Sequence, residues 1–345
     1  MECASDILML SRTSNFYRLN SLVQISVCII TVIVSIPAFH SLYTKNTFHR
    51  STQQLLLMSI LYSDFHAIIY GYVQGWSLYR SIVYSKDPCH IMFIGEECYV
   101  LTWITGVAKM LMIFIQSALT FDRSFDSIIS MMFPNIKPAK YHGLYSNLTV
   151  IALSIAATGF MYSAGPTRNL VHTCLQQGEL PLNRVIEFLI VYFIVALLCL
   201  ILNIVTIQII KRPQPNVFIL KARYSRMEIR NSSFAICVIS IIQFIVMALY
   251  VTGSYTLFYM KPIISKEYFS NLLLLFYTIP YATFALPFSI IYCIKWISMK
   301  RKTKICLMTQ NNKKENISGH FIKLTNYWDD VFATKTDKKQ VNQKY

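Results

Sequence analysis

Asp122 and Arg123 stand side by side at the end of an apolar run that begins at Cys98, and Lys109 interrupts that run near its middle. An adjacent carboxylate and guanidinium hold each other at rest and can part when their surroundings move, which suits a two-state switch. The same pair could instead do no more than anchor the end of a helix. Asp64 sits inside a second apolar run, so a second pair of opposite charges, Asp64 and Lys109, can be drawn within the apolar part of the chain. Ionisable residues near a bilayer centre cost at least about 2.5–3.5 kcal/mol on insertion scales and normally face a partner in the protein interior.

The elements that must position these charges are long. From Cys98 to Asp122 a helix rises about 36 Å, enough to cross a membrane. The chain of 345 residues is 54% hydrophobic and only 14% charged. Soluble domains carry about a quarter charged residues, and here the apolar residues fall in blocks, so the solvent of the core is lipid. Seven blocks are expected as helices: about 19–44, 55–79, 98–121, 143–165, 188–210, 232–259 and 269–294. Pro37, Pro280 and Pro287 lie inside them and are tolerable where neighbouring helices take up the freed backbone groups. Residues 1–18 read as an extracellular N-terminus, 19–297 as the seven-helix domain and 298–345 as a cytoplasmic tail. The fold expected is an all-α membrane protein, a seven-transmembrane helix bundle.

Charge gives the orientation. With the N-terminus outside, the inner segments hold 23 of the 32 Lys and Arg, and the outer segments hold eight. Cytoplasmic loops favour Lys and Arg, so the N-terminus is expected outside and the C-terminus inside. The net charge of +16 then belongs to the inner face, where it attracts anionic membrane lipids, and nucleic acid is not an expected partner. After the last block, 294–306 mixes apolar and basic residues and reads as a short helix on the inner leaflet, with lipidation of Cys306 open to it.

On this map Cys3, Cys89, Cys98 and Cys174 fall outside, where disulfides persist, and four cysteines allow three pairings. The sequons at Asn147, Asn231 and Asn316 fall on the inner side and would not be glycosylated. Tyr70, Trp76, Trp103, Tyr255, Tyr277 and Tyr281 lie in the outer halves of helices. They are candidates to line a small-molecule pocket, although interfacial belts and helix packing use the same residue types. There is no Gly-rich phosphate loop, no His-Glu-x-x-His and no Gly-x-Ser-x-Gly, so no enzyme and no cofactor is expected.

Cys98 heading the third helix, Asp122-Arg123 closing it and Cys174 in the second outer loop resemble the plan of G-protein-coupled receptors. A narrower resemblance, to nematode serpentine chemoreceptors of class alpha, rests on several stretches. They are Cys3-Ala-Ser-Asp6, Leu55 to Tyr70 with Asp64-Phe-His66, Thr120-Phe-Asp-Arg123, Tyr277-Thr-Ile-Pro-Tyr281, Leu286-Pro287 and Lys295-Trp296. Together they cover residues 3 to about 300. The chain departs from the broader receptor pattern at Ser124, at a sixth helix without proline, and at Leu286-Pro287. The resemblance implies a plasma-membrane receptor, in sensory cilia for a chemoreceptor, that binds an external small molecule and activates a heterotrimeric G protein. It implies a Cys98–Cys174 disulfide, which leaves Cys3 and Cys89 as a second pair. It also implies a coupling surface of Asp122, Arg123, Arg223, Arg226 and Arg230. The alternative from the residues alone is a polytopic ion channel or small-solute carrier with the Asp64–Lys109 pair lining its path.

Overall fold

A computed structural model describes residues 5–44, 48–132, 142–163, 170–171, 174, 182–211, 220–261, 263–314 and 325–327. Within those helices it leaves out the side chains of 130–132, 182–186, 211, 220–228, 266, 267, 270, 304, 305 and 307–314. In chain order the elements are α1 (Asp6–Thr13), α2 (Asn15–Thr44), α3 (Arg50–Val83), β1 (Phe93–Ile94), α4 (Gly95–Met132) and α5 (His142–Met161). They continue with β2 (Leu170–Val171), α6 (Leu182–Lys211), α7 (Leu220–Met260), α8 (Lys266–Phe276) and α9 (Ile279–Lys314). Seven spans among the described residues are long and apolar enough to cross a membrane, the seventh running from Asn271 to Thr303.

The helices carry their polar residues inward. The buried face of α2 is Tyr17, Asn20, Ser21, Gln24, Cys28, Thr31, Ser35, Ala38 and Leu42, at helical spacing. Its Ile29, Ile33 and Ile36 are exposed. Likewise Ser59, Ser63 and His66 of α3 are buried while Leu61, Phe65 and Ile68 face out. A water-soluble bundle would reverse this pattern. In lipid, apolar side chains outside cost nothing, and small and polar residues let the helices approach and bond.

Most helices outrun the apolar blocks, because hydropathy marks only the lipid-crossing part. The seventh differs more. A single helix over 269–294 was expected, but the chain breaks at Tyr277-Thr278 between α8 and α9. Pro280 supplies one cause, since it has no N–H and its ring crowds the carbonyl four residues back. Other helices serve the break. Gln24 Nε2 donates to Leu274 O at 2.9 Å, Gln243 Nε2 to Ala282 O at 3.1 Å and Thr278 Oγ1 to Val246 O at 2.9 Å.

At the Cys98 end, β1 pairs antiparallel with β2, with Phe93 opposite Val171. Cys98 and Cys174 form a disulfide beside this ribbon, and the Thr102 hydroxyl donates to Cys174 O. Cys89 is also disulfide-bonded, and Cys3 lies outside the described residues. Helix α1, in a stretch read from sequence only as an N-terminus, packs here. Its Arg12 is fully buried, donates to the Tyr17 hydroxyl and to Ile91 O, and lies 5.1 Å from the Phe93 ring centre. Desolvation pulls the Arg12 pKa below its usual value; Tyr17 opposes that and Arg80 adds to it. Arg80 approaches the same Phe93 ring, at 4.4 Å.

Two compact units divide the chain, Met1–Ile294 and Lys295–Tyr345. In the second, Lys300 Nζ sits 3.8 Å from the Trp296 ring centre and Cys306 is an exposed free thiol. The segment read as a separate surface helix belongs to α9, which runs on to Lys314.

Candidate functional site

Two places in the first unit bring functional groups together. At one end of the bundle, Arg123 is 1% exposed and held on three sides. Its Nε and Nη2 donate to Asp122 Oδ2 at 3.2 and 3.0 Å, Nη2 also donates to Asp126 Oδ2, and Nη1 reaches Ser232 Oγ at 3.3 Å. Asp122 is held in turn by α3, where Ser51 Oγ donates to Oδ1 at 2.6 Å and Thr52 Oγ1 to Oδ2 at 2.9 Å. Both hydroxyls are on the first turn of α3, whose positive dipole end favours a carboxylate. His142 Nε2 stands 3.8 Å from Asp122, and His49 Nδ1 3.9 Å from Asp126.

The charges are therefore fully paired, as burial requires. Asp126 was missed in sequence although its place three residues after Arg123 puts it on the same helix face. Nothing in the sequence marks Ser51, Thr52 or Ser232, which meet Asp122-Arg123 only through tertiary packing. Of the basic residues grouped with Arg123, Arg230 is exposed, and the side chains of Arg223 and Arg226 lie outside the described set.

The second place is a cavity of about 50 Å³ between α4, α6, α7 and α9. From α4 come Lys109, Met112 and Gln116, from α6 Tyr192, from α7 Ser240, Gln243 and Met247, and from α9 Ile279 and Ala282. A polar layer joins this cavity to the residues beside Arg123. Asn203 Nδ2 donates to Ser240 Oγ at 2.9 Å and to Thr120 Oγ1 at 3.0 Å. Thr120 is three residues from Arg123 on α4, and Ser240 is eight from Ser232 on α7.

Two expectations from sequence need correction. Asp64 and Lys109 form no ion pair, nor any other interaction with each other. The Asp64 side chain turns toward Ser35 of α2, while Lys109 lines the cavity. Their depths match, but each residue turns a helix face by about 100°, and depth alone says nothing of that rotation. The six aromatic candidates do not line this cavity either. Tyr70 and Tyr277 stack on each other at 5.0 Å between ring centres, with His66 Nε2 3.2 Å from the Tyr277 hydroxyl. Trp103 packs against the cluster of Met110, Tyr162 and Tyr192. Trp76 lines a surface pocket with Arg80, Phe93 and Glu97, Tyr281 is half-buried, and Tyr255 is 54% exposed. The cavity is lined instead by aliphatic side chains, by Tyr192 and Phe244, and by a few polar groups, a mixture that gives no pocket signal in sequence.

Among the described residues no three His, Cys, Asp or Glu side chains gather as a metal would need. Asn147, one of the sequon asparagines, is buried with its Oδ1 accepting from the Tyr62 hydroxyl at 2.6 Å.

Seven spans, a Cys98–Cys174 clasp and an Arg123 cluster limit the candidates, and comparison with known proteins decides among them. Residues 1–328 match the family model described as "Serpentine type 7TM GPCR chemoreceptor Sra". The chain belongs to the Sra family of serpentine chemoreceptors. Its relatives include "Serpentine receptor class alpha-32" of Caenorhabditis elegans, 29% identical over 322 residues that make up 92% of this chain and 93% of that protein. "Serpentine receptor class alpha-10" of Caenorhabditis elegans is 30% identical, over 95% of this chain and 97% of its own length. The protein of the same name from Caenorhabditis briggsae is also 30% identical, over 94% and 97%. Membership in Sra makes the chain a multi-pass membrane protein of a seven-transmembrane chemoreceptor family. It places the Arg123 cluster and the cavity in a fold whose family description is reception.

Proposed function

We propose that this Sra protein is a plasma-membrane receptor, with its N-terminus outside, that binds an external small molecule and activates a heterotrimeric G protein without catalysing a reaction. The observation that carries this reading is the closed cluster at Arg123, which ties α3, α4 and α7 together at one end of the bundle. Each bond to Arg123 from another helix can be lost by a small shift of that helix, so the cluster has a closed state and an open one. A ligand between α4 and α7 binds the two states unequally if it moves Ser240 and Gln243, and only such a difference shifts the population. Moving α7 carries Ser232 off Arg123, and the freed guanidinium is then available to the carboxylates and carbonyls of a partner helix. The bundle positions the ligand and the cluster; no step needs a nucleophile, a metal or a proton transfer.

The test is nucleotide exchange on a co-reconstituted G protein, driven by a small-molecule screen. Wild type should respond, and Arg123→Ala at equal surface level should lose at least about tenfold of the response, the scale set by one buried charge-assisted bond. A full response from the alanine variant assigns Arg123 to anchoring and removes the switch.

A further inference from the structure

Lys109 lies well inside a membrane-spanning helix, where an ammonium is costly unless something compensates it. Among the described residues it has no ion pair and no hydrogen bond, and its side chain opens onto the cavity between α4, α6, α7 and α9. No Asp or Glu lines that cavity. Gln116, two turns along the same face of α4, lines it as well; its carbonyl accepts from Thr120 Oγ1 at 3.1 Å, while its side-chain amide has no hydrogen-bond partner among the described residues. Between these two groups on α4 stand Met112 and Ile113, and Phe244 and Met247 of α7 line the same cavity, with Tyr192, Ser240 and Gln243 as further lining groups. One cation, an unpaired amide about 10.5 Å further along the helix axis, and an apolar wall between them together describe the complement of an occupant.

We propose that the cavity takes a small aliphatic carboxylate, its head group on the Lys109 ammonium and its chain along Met112 and Met247. This deepens the receptor reading and rests on it for the claim that the cavity has a ligand at all. An amine would add a second cation to a site without an acid. A neutral alcohol would leave Lys109 uncompensated. A phosphate ester carries up to two charges, and a single lysine with no second cation among the lining residues does not match it. A monovalent acid cancels the charge and replaces lipid or void with its chain.

The probes are the straight-chain carboxylates from butanoate to decanoate, with their chain-matched alcohols and amines, added to purified protein in lipid nanodiscs. Saturable protection against thermal unfolding reports binding, because a ligand of the folded state stabilises it by mass action. At least one carboxylate should protect at a concentration about tenfold or more below its alcohol, with no protection by the amine. Lys109→Arg should keep that preference and Lys109→Met should abolish it. If the alcohols or amines protect as well as the acids, if no acid protects, or if the methionine variant keeps the preference, the anion site is wrong. The wild-type series decides this even should a variant fail to fold. Nucleotide exchange on the same samples separates the two readings. Acid-selective protection with no exchange would sink the receptor reading and leave the anion site. Exchange driven only by neutral or cationic compounds would do the reverse.

Discussion

Arg123 shows what a sequence can and cannot reveal about a buried charge. Its pairing with Asp122 depends on the reach of the arginine stem, because adjacent residues on a helix point about 100° apart, whereas Asp126 follows from helical spacing. Ser51, Thr52 and Ser232 come from other helices, and nothing local points to them. Asp64 and Lys109 mark the limit in the other direction. Each residue's depth can be counted, but the rotation of its helix is set by packing, and here it sends Asp64 toward α2 and Lys109 into the cavity. Two sites without shared partners should behave additively, within about 0.5 kcal/mol. The surface level of the Asp64→Asn, Lys109→Met double variant should therefore equal the product of the two single effects, measured by flow cytometry of an epitope-tagged receptor. Recovery of the double variant above either single one would show that the two charges are partners after all.

Among the elements, the seventh span is the one whose shape the sequence hid. Pro37 and Pro287 sit inside unbroken helices while Pro280 follows a break, so proline alone does not predict the outcome. Pro287 frees Thr283 O, which accepts from Ser63 Oγ of α3 at 3.1 Å within the continuous helix, whereas Pro280 stands just after the break at Tyr277-Thr278. At the break Gln24 of α2 donates to Leu274 O, and Gln243 of α7 donates to Ala282 O four residues beyond Thr278. Gln243→Leu would leave the Ala282 carbonyl without that donor, a loss of about 1–3 kcal/mol for a buried acceptor, read as a lower unfolding temperature in detergent. An unchanged midpoint would show that the break does not depend on α7. Close packing beside the break gives a sharper comparison. A Cβ on Gly253 would run into the Phe276 ring, whereas one on Gly159 meets nothing within 4 Å. Gly253→Ala should lower stability by about 1–3 kcal/mol and Gly159→Ala should not. Equal effects would mean that Phe276 swings away at no cost.

For the whole molecule, the seven-helix plan was legible because lipid imposes a length of about 20 apolar residues on each span, a signal that survives without any tertiary knowledge. The helix α1 over the Cys98 end was not legible. Its anchor is one buried arginine among aromatic rings, and eight residues are too few for a periodic signal. The proposed orientation, with the N-terminus outside, rests on the excess of Lys and Arg on one side. An N-terminal epitope should be accessible on intact cells and a C-terminal one only after permeabilisation; the reverse staining would overturn the receptor topology. The Cys98–Cys174 link closes a long loop, and removing such a link costs about 2–5 kcal/mol in small secreted domains. Cys98→Ser should reach the surface poorly, and a normal surface level would show that the ribbon beside it holds without the bond.

The measurement that tests the account most directly needs no ligand. It is the basal rate of nucleotide exchange that the receptor drives on a G protein, compared between wild type and Asp126→Asn at matched surface level. If Asp126 helps hold Arg123 closed, removing its charge shifts the population toward the open state, and basal exchange rises severalfold, on the order of what 1–2 kcal/mol gives. Basal exchange equal to or below that of wild type, from protein that folds and reaches the membrane, would contradict a lock at Arg123.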